Sequence, residues 1–238
     1  MSDTVRINKY IANAGICSRR DADKLVTEGK VTINGKIAQA GSLIKEGDTV
    51  CVNGKAIKSK ENKVILAFYK PVGITCTERD KFAEKTILEY VKYPVRVTYA
   101  GRLDKDSEGL ILLTNDGNLI QALMKGSHYH EKEYVVKVDK EITPRFLEKM
   151  ATGVYLKELD RTTRPCKVEK VGKFTFKIVL TQGLNRQIRR MTKELGYCVT
   201  SLKRIRIEKI TIDGLKIGQY RELTEKEKEN LYETVGLK

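Results

Sequence analysis

Residues 7–36 read INKYIANAGICSRRDADKLVTEGKVTINGK, and this stretch combines two helical patterns with a hairpin signal. Its first apolar residues, Ile7, Tyr10, Ile11 and Ala14, recur at i, i+3, i+4 and i+7. That spacing predicts the buried face of a helix, and Gly15 is a typical residue to end it.

A second helix is predicted to begin after Ser18. Serine is a favoured N-cap residue, and Asp21 stands where a side chain can reach back to the cap. Gly29 ends this helix. Two short strand patterns then flank Asn34-Gly35, the dipeptide that most strongly indicates a two-residue hairpin turn. The stretch therefore predicts a small module of two helices followed by short strands.

Basic residues collect on and just beyond the second predicted helix: Arg19, Arg20, Lys24, Lys30 and Lys36. Such a group fits contact with an RNA backbone, and it also fits a solvated helix face, which is the commoner arrangement for such charges. The charge pattern alone leaves both open.

The composition of the whole chain limits the class of protein. Its 238 residues carry 46 Lys and Arg against 31 Asp and Glu, a net charge of +15, and 40% are hydrophobic. This excludes a wholly disordered chain and favours a polyanionic partner such as nucleic acid. Five scattered cysteines without a CxxC pair argue against a zinc site and a disulfide framework. Without a run of about 18 apolar residues, we expect a soluble, cytoplasmic protein with no membrane partner.

Beyond a polar linker predicted at residues 56–63, the patterns change to longer strands. Apolar or alternating runs predict strands over residues 64–69, 110–114, 133–138, 174–180 and 206–212. Helical patterns lie between and after them, over residues 119–124, 144–150, 185–195 and 224–232, the last with a Thr224–Glu227 capping box. Strands and helices without regular βαβ spacing predict an α+β fold with a mainly antiparallel mixed sheet. We expect domains at residues 1–60, including the linker, and 61–238.

Three polar stretches carry the candidate chemistry. They are GRLDKDSEGLILLTNDG from Gly101, HEKEYVV from His130 and GLNRQIRRM from Gly183. Each has a plain structural interpretation: a surface ion-pair cluster, a packed strand tyrosine, and a solvated basic helix. Chemistry and structure both stay open on these residues taken singly.

Residues 4–54 resemble the S4 RNA-binding domain, on the Lys-Tyr-Ile helix, Gly-Ile-Cys-Ser-Arg-Arg-Asp-Ala, Gly-Lys-Val-Thr-Ile-Asn-Gly and Gly-Asp-Thr-Val. The three stretches, together with KPVGITCT from Lys70, resemble the RsuA/RluB/RluE/RluF family of ribosomal-RNA pseudouridine synthases. The RluF type, which modifies 23S rRNA, is the most similar branch. The resemblance covers nearly the whole chain and implies an isomerase that needs no cofactor and no metal.

The resemblance also implies roles for individual residues. Asp104 matches the essential aspartate, Tyr134 the tyrosine that packs on the target base, and Arg189 the arginine that pairs with the catalytic carboxylate. Arg102 matches the residue that replaces the flipped uridine in the RNA stack. The full set of expected RNA-binding residues is Arg102, Lys70, Arg186, Lys9, Arg19, Arg20, Lys24 and Lys36. His128 and His130 have no role in the family pattern, and we expect both to be ordinary loop residues.

Two alternatives differ in class from an rRNA pseudouridine synthase. One is a non-catalytic RNA-binding or ribosome-assembly factor that keeps the fold. The other is a metal site on Asp104, Asp106 and Glu108, which lacks the closing bidentate Glu of a calcium loop. The expected partner is ribosomal RNA, with a tRNA as a candidate second substrate, and the expected state is a monomer. The modified uridine is left open.

Overall fold

The computed structural model describes residues 4–58, 62–77, 86–125 and 129–237. Backbone contacts divide the chain into two compact units. The N-terminal unit comprises Met1–Val64, Tyr93–Val97 and Asn115–Gly117, and the C-terminal unit comprises Ile65–Lys92, Thr98–Thr114 and Asn118–Lys238. Part of the predicted linker, residues 59–61, lies outside the described residues.

The described part of the N-terminal unit contains two helices and six short strands. In chain order they are β1 (Val5–Arg6), α1 (Ile7–Asn13), α2 (Arg19–Thr27), β2 (Val31–Ile33), β3 (Lys36–Ile37), β4 (Leu43–Ile44), β5 (Val50–Val52) and β6 (Lys55–Ile57). β1 pairs with β4, and the other four strands form a sheet in the order β3-β2-β5-β6.

The predicted local signals of this unit are confirmed. Ser18 caps α2 and accepts a hydrogen bond from the backbone N–H of Asp21 at 3.2 Å. Asn34 and Gly35 both adopt left-handed backbone angles, as a type I′ turn between β2 and β3 requires. The apolar faces of α1 and α2, including Ile11 and Val26, are buried against the strands in one core. The small module thus closes on its own apolar residues.

The C-terminal unit continues with the remaining elements in chain order. They are β7 (Ile65–Lys70), α3 (Ile87–Tyr90), β8 (Thr98–Ala100), β9 (Glu108–Thr114), α4 (Gly117–Met124), β10 (Lys132–Val138), α5 (Pro144–Thr152), β11 (Tyr155–Leu156), a 3₁₀ helix (Lys157–Leu159), β12 (Arg161–Thr162), β13 (Lys167–Gly172), β14 (Thr175–Leu180), α6 (Gln187–Glu194), β15 (Val199–Ile207), β16 (Ile210–Thr211), β17 (Tyr220–Glu222) and α7 (Glu225–Thr234).

Nine of these strands form one sheet. Its order is β13-β14-β10-β15-β9-β7-β17, with β16 added to β15 and β8 added to β9. β15 and β9 run parallel and the other pairs run antiparallel, so the predicted α+β class with a mainly antiparallel mixed sheet is confirmed. Two apolar clusters cover the sheet, one around β7, β9, α4 and α7 and one around β10, β14, α5 and α6.

The strand predicted over residues 206–212 is wrong in its bounds. β15 begins at Val199 and ends at Ile207, Glu208 adopts a left-handed backbone with φ 50°, and the chain returns as β16. Neither residue of this turn is Gly or Asn, so the usual hairpin signal is missing. The polar edge strand β13 was also not predicted, because its mostly exposed residues lack an apolar alternation. Among the described residues, every helix is too short or too polar to cross a membrane.

Candidate active site

The loop between β8 and β9 presents the first candidate stretch. Gly101 is buried with φ 90°, and a Cβ there would lie 3.2 Å from the Met124 sulfur. Arg102 is exposed, Asp104 is about one-third exposed, and Ser107 is buried. The loop therefore turns its charged side chains outward while its two ends stay fixed in the sheet.

Lys70 anchors this loop from below and does not face solvent. Its side chain is fully buried at the end of β7, and Nζ donates to the carbonyl oxygens of Pro71 at 2.9 Å, Asp104 at 3.1 Å and Ser107 at 2.7 Å. Burial is the main influence on this amine and lowers the pKa of Lys70 from its usual range. The expected role of Lys70 in RNA binding is therefore wrong, because an ammonium group enclosed by three carbonyls cannot reach a phosphate.

Arg186 reaches the loop from the start of α6. It is the N-cap residue, with φ 50° and ψ 36°, a left-handed conformation that is uncommon for a residue other than Gly, Asn or Asp. Its guanidinium donates two hydrogen bonds to the Asp106 carboxylate, at 3.2 and 2.8 Å, and lies 3.6 Å from Asp104 Oδ2. Backbone strain of this kind tends to occur where a side chain must be aimed at a site.

Arg189, one turn into α6, binds the same loop at a different point. Nη2 donates to the Asp106 carbonyl at 2.8 Å and to Ser107 Oγ at 3.3 Å, and Nε lies 3.3 Å from Asp106 Oδ2. Burial would raise the pKa of Asp106, but the Arg186 hydrogen bonds and the charges of both arginines outweigh it and lower that pKa. Asp106 is thus the ionised carboxylate that joins the loop to α6.

The ion pairs differ from the expected pairing of Arg189 with the aspartate at position 104. Within the described residues, the cation that pairs with Asp104 is Arg186, and Arg189 pairs with Asp106. Sequence spacing could not decide this, because Asp104 and Asp106 are two residues apart and the two arginines are three residues apart at the start of α6.

A cavity of about 560 Å³ lies beside the loop and brings the candidate residues together. Its walls include Arg102, Asp104, Tyr134, Arg186 and Arg189. Tyr134 lies on β10, opposite Ile178 of β14 and Arg204 of β15. An acidic side chain, an aromatic ring and several cations therefore line one opening wide enough for a nucleobase.

The same cavity contains basic residues that the sequence patterns did not indicate. Arg204 is 2% exposed, and its Nε donates to the Leu110 carbonyl at 2.6 Å. Lys132 lies two residues before Tyr134 on β10, and burial lowers the pKa of Lys132 to about 8. Both residues line the cavity. Lys132 and Tyr134 alternate along one strand, and this spacing could have indicated that Lys132 faces the same side as Tyr134. Arg204 gave no such signal, because it lies before the strand that was predicted to begin at residue 206.

His130 also differs from the expected ordinary loop residue. Its side chain is 4% exposed and its Nδ1 lies 2.8 Å from Glu208 Oε1. His128, the other histidine expected to be an ordinary loop residue, lies outside the described residues.

The alternative metal site has no ligand cluster to support it. In the parts of the chain that the structure describes, no group of three His, Cys, Asp or Glu side chains could hold a metal ion. Asp106 is engaged by two arginines, and Glu108 accepts a hydrogen bond from the Tyr69 hydroxyl at 3.3 Å.

In the N-terminal unit, the expected RNA-binding residues differ in exposure. Arg19, Arg20 and Lys36 are exposed, Lys24 is exposed with a long ion pair of 3.9 Å to Asp21, and Lys9 is half-buried. The exposed cations lie along α2 and at the hairpin after β2.

Comparison with known proteins assigns both units. The sequence model of the family described as RNA pseudouridylate synthase matches residues 64–194, which hold the candidate loop, Tyr134 and Arg189. The chain belongs to the RNA pseudouridylate synthase family. The S4 domain model matches residues 5–50 of the same chain. The family and the S4 module expected from the sequence are therefore confirmed.

Relatives of this synthase family match almost the whole chain. A protein of Escherichia coli strain K12 named dual-specificity RNA pseudouridine synthase RluF is 46% identical over 98% of this chain and 80% of its own length. Ribosomal large subunit pseudouridine synthase B of Bacillus subtilis is 39% identical over 95% of each chain. A crystal structure described as pseudouridylate synthase superposes with a TM-score of 0.70, at 30% identity, over 95% of this chain and 99% of that chain.

Proposed function

We propose that this family member isomerises a specific uridine of ribosomal RNA to pseudouridine, and that the RNA is 23S rRNA. The observation that carries the proposal is the cavity that Asp104 and Tyr134 share. The names of the relatives support the substrate, since one is a large-subunit synthase and the RluF relatives are 45–46% identical. The "dual-specificity" in the RluF name is consistent with a second RNA, for which a tRNA is the candidate.

Asp104 is the proposed catalytic residue. As the N1–C1′ bond of uridine breaks, its electron pair leaves with the uracil, and the carboxylate either bonds to C1′ or removes a proton from C2′. C5 then bonds to C1′; in the first route this breaks the carboxylate–C1′ bond, and in the second the carboxylic acid returns the proton to C2′. The C5 proton is lost and N1 takes up a proton, so the carboxylate is regenerated and the product is an isomer of the substrate. No electrons are gained or lost overall, and the reaction consumes no co-substrate.

Tyr134 and the two arginines complete the proposed machinery. Tyr134 offers a flat face to the uracil and a hydroxyl that can assist removal of the C5 proton. Arg186 holds the Asp104 carboxylate at 3.6 Å, and Arg189 holds the loop through Asp106 and Ser107. In this proposal Arg189 acts as a positioning residue rather than as the direct partner of Asp104.

Arg102 is the proposed residue for base flipping. Its exposed side chain lies on the cavity wall two residues before Asp104. A flipped nucleotide leaves a gap that costs a few kcal/mol in lost stacking, and a planar guanidinium can fill that gap. Arg186, half-exposed on the wall of the same cavity, can contact a neighbouring phosphate.

We assign RNA docking to residues 1–60 and catalysis to residues 61–238. Residues 1–60 contain 11 Lys and Arg against 6 Asp and Glu, and several of these cations are exposed: Arg19, Arg20, Lys24 and Lys36. Lys9 is assigned a lesser contact because it is half-buried. The proposed place of action is the cytoplasm, where ribosomal RNA is modified, and the proposed state is a monomer.

The test is to map pseudouridines in total RNA from cells with and without the gene, and to restore the missing site with purified protein in vitro. We expect one site or a few sites in 23S rRNA to disappear and to return on incubation with the protein. An unchanged map, together with RNA binding by the purified protein, would favour the non-catalytic assembly factor.

A further inference from the structure

The buried guanidinium of Arg204 carries an unused hydrogen-bond donor at the cavity. Arg204 is 2% exposed and lines the cavity, and its Nη2 has no hydrogen-bond partner among the residues that the structure describes. Its Nε is held at 2.6 Å by the Leu110 carbonyl, so the guanidinium has a fixed position. A buried N–H group without an acceptor costs free energy, and in a binding cavity it is a ready donor to a ligand.

The position of Arg204 directs this donor to the base rather than to the RNA backbone. Arg204 lies opposite Tyr134 in the β10–β15 pair, and opposed residues project to the same face of a sheet. Tyr134 is the residue proposed to stack on the uracil. Because Arg204 is buried beside that ring, its N–H group can reach an acceptor on the edge of the stacked base. The RNA phosphates would stay at the solvent-exposed rim of the cavity.

The charge around Arg204 points to an acceptor that becomes negative. Lys70 is buried and Lys132 is half-buried near it; burial is the main influence that lowers the pKa of both lysines, and the charge of Arg204 lowers them further. The carboxylates that act on these lysines are Asp104 and Asp106, which are partly exposed, and Glu208, which is bound to His130. Preorganised positive charge in a buried site stabilises a negative charge that develops during reaction.

We infer that Arg204 binds a carbonyl oxygen of the flipped uracil through Nη2 and stabilises the uracil as it departs from C1′. When the N1–C1′ bond breaks, its electron pair stays on the uracil and is shared over N1 and the ring carbonyls. A cationic donor at one carbonyl is then bound more strongly than in the intact nucleotide. This inference rests on the proposed isomerase function.

The test changes the acceptor atom and the donor separately. Fragments of 23S rRNA centred on the mapped uridine carry uridine, 2-thiouridine or 4-thiouridine at that position, since sulfur is a weaker hydrogen-bond acceptor than oxygen. Single-turnover conversion is followed by nucleoside chromatography after complete digestion. For the wild-type protein we expect one of the two thio substitutions to slow conversion about 10- to 100-fold, the range for a hydrogen bond to a charged group.

Arg204→Lys and Arg204→Gln should convert the uridine RNA more slowly than wild type and lose most of the thio effect, leaving less than about threefold. The matched control is Arg206→Gln, two residues along the same strand. Arg206 is bound by Glu133 and Glu131 at 2.7 and 3.0 Å, so its loss should lower stability but leave the full thio effect. A merely structural role for Arg204 would also lower the rate, but it would not remove the thio effect.

Two results would overturn the inference. One is an equal thio effect in the wild-type and Arg204 variants, and the other is the absence of any thio effect in wild type at either carbonyl. The second result needs no variant, so it decides the question even if Arg204 substitutions prevent folding. Failure of the wild-type protein to convert the unmodified RNA would instead refute the proposed function, and the two failures are thereby distinguished.

Discussion

The substitution Asp104→Asn separates chemistry from structure at the candidate site. An amide keeps the size of the side chain but removes the charge and the basicity. The ion pair that is lost joins Asp104 Oδ2 and Arg186 Nη1 across 3.6 Å, with side chains that are 35% and 42% exposed. In a water-like dielectric, 332/(80 × 3.6) is about 1.2 kcal/mol, and exposed pairs contribute about 0.2–1 kcal/mol.

Stability and RNA affinity of Asp104→Asn should therefore change by less than about tenfold in equilibrium constant. Turnover should fall by about 10⁴-fold or more if the carboxylate carries the reaction. Tritium release from C5-labelled uridine in a 23S fragment measures turnover, and a filter-binding titration measures affinity. The two magnitudes are far enough apart to be told from one another in these assays.

Asp106→Asn is the matched control, and the structure makes it a demanding one. Asp106 is held more firmly than Asp104, with two hydrogen bonds from Arg186 and an ion pair to Arg189 at 3.3 Å. A structural role for these carboxylates predicts that Asp106→Asn is the more harmful change. Catalysis by Asp104 predicts the reverse, with a loss of about tenfold or less for Asp106→Asn. Tritium release by Asp104→Asn within tenfold of Asp106→Asn, with wild-type contamination excluded, would refute the reasoning.

Four further predictions concern charge and burial. Replacing the three exposed cations Arg19, Arg20 and Lys24 by Gln should make the slope of log RNA affinity against log salt concentration shallower by about 2–3. Turnover at saturating RNA should be unchanged. An unchanged slope would show that the N-terminal unit is not part of the RNA interface. Glu227, whose pKa is lowered to about 2 chiefly by the Arg221 hydrogen bonds, stabilises the fold above its unfolded pKa near 4.5. Glu227→Gln should therefore cost about 1–2 kcal/mol at pH 7, and urea titrations should show this difference vanishing as the pH falls towards 2. The pKa of Lys132 is about 8 in the folded protein and near 10.5 in the unfolded chain, so keeping this side chain protonated costs stability below pH 8. The cost disappears as the pH rises from about 8 to 10.5. Lys132→Met should therefore be more stable than wild type by about 1–2 kcal/mol at pH 7 and equally stable near pH 10.5. Lys70→Met removes the ammonium donor from three carbonyls, of which the Asp104 carbonyl keeps the Ser107 N–H, and should cost about 3 kcal/mol or more. A loss below about 1 kcal/mol in denaturant unfolding would contradict the enclosed position.

Local signals were sufficient wherever neighbouring residues determine the backbone. Ser18 caps α2 and Asn34-Gly35 turns the first hairpin as predicted, because both effects act within a few residues. The Thr224–Glu227 capping box of α7 also forms as predicted. Together with the family motifs, such signals were enough to indicate the α+β class and the loop that carries Asp104.

Tertiary structure decided which side chains meet, because contacts distant in sequence depend on strand order and register. Lys70 and Ser107 are 37 residues apart, and only the β7–β9 pairing places the lysine beneath the loop, where it is buried rather than exposed to RNA. Arg186 and Asp106 are 80 residues apart, and their contact depends on a left-handed N-cap that no sequence rule indicates for arginine. Arg204 reaches the cavity because β15 pairs with both β9 and β10. The sequence by itself determined the local elements and the family, whereas the partners of each charged group followed from packing across the sheet.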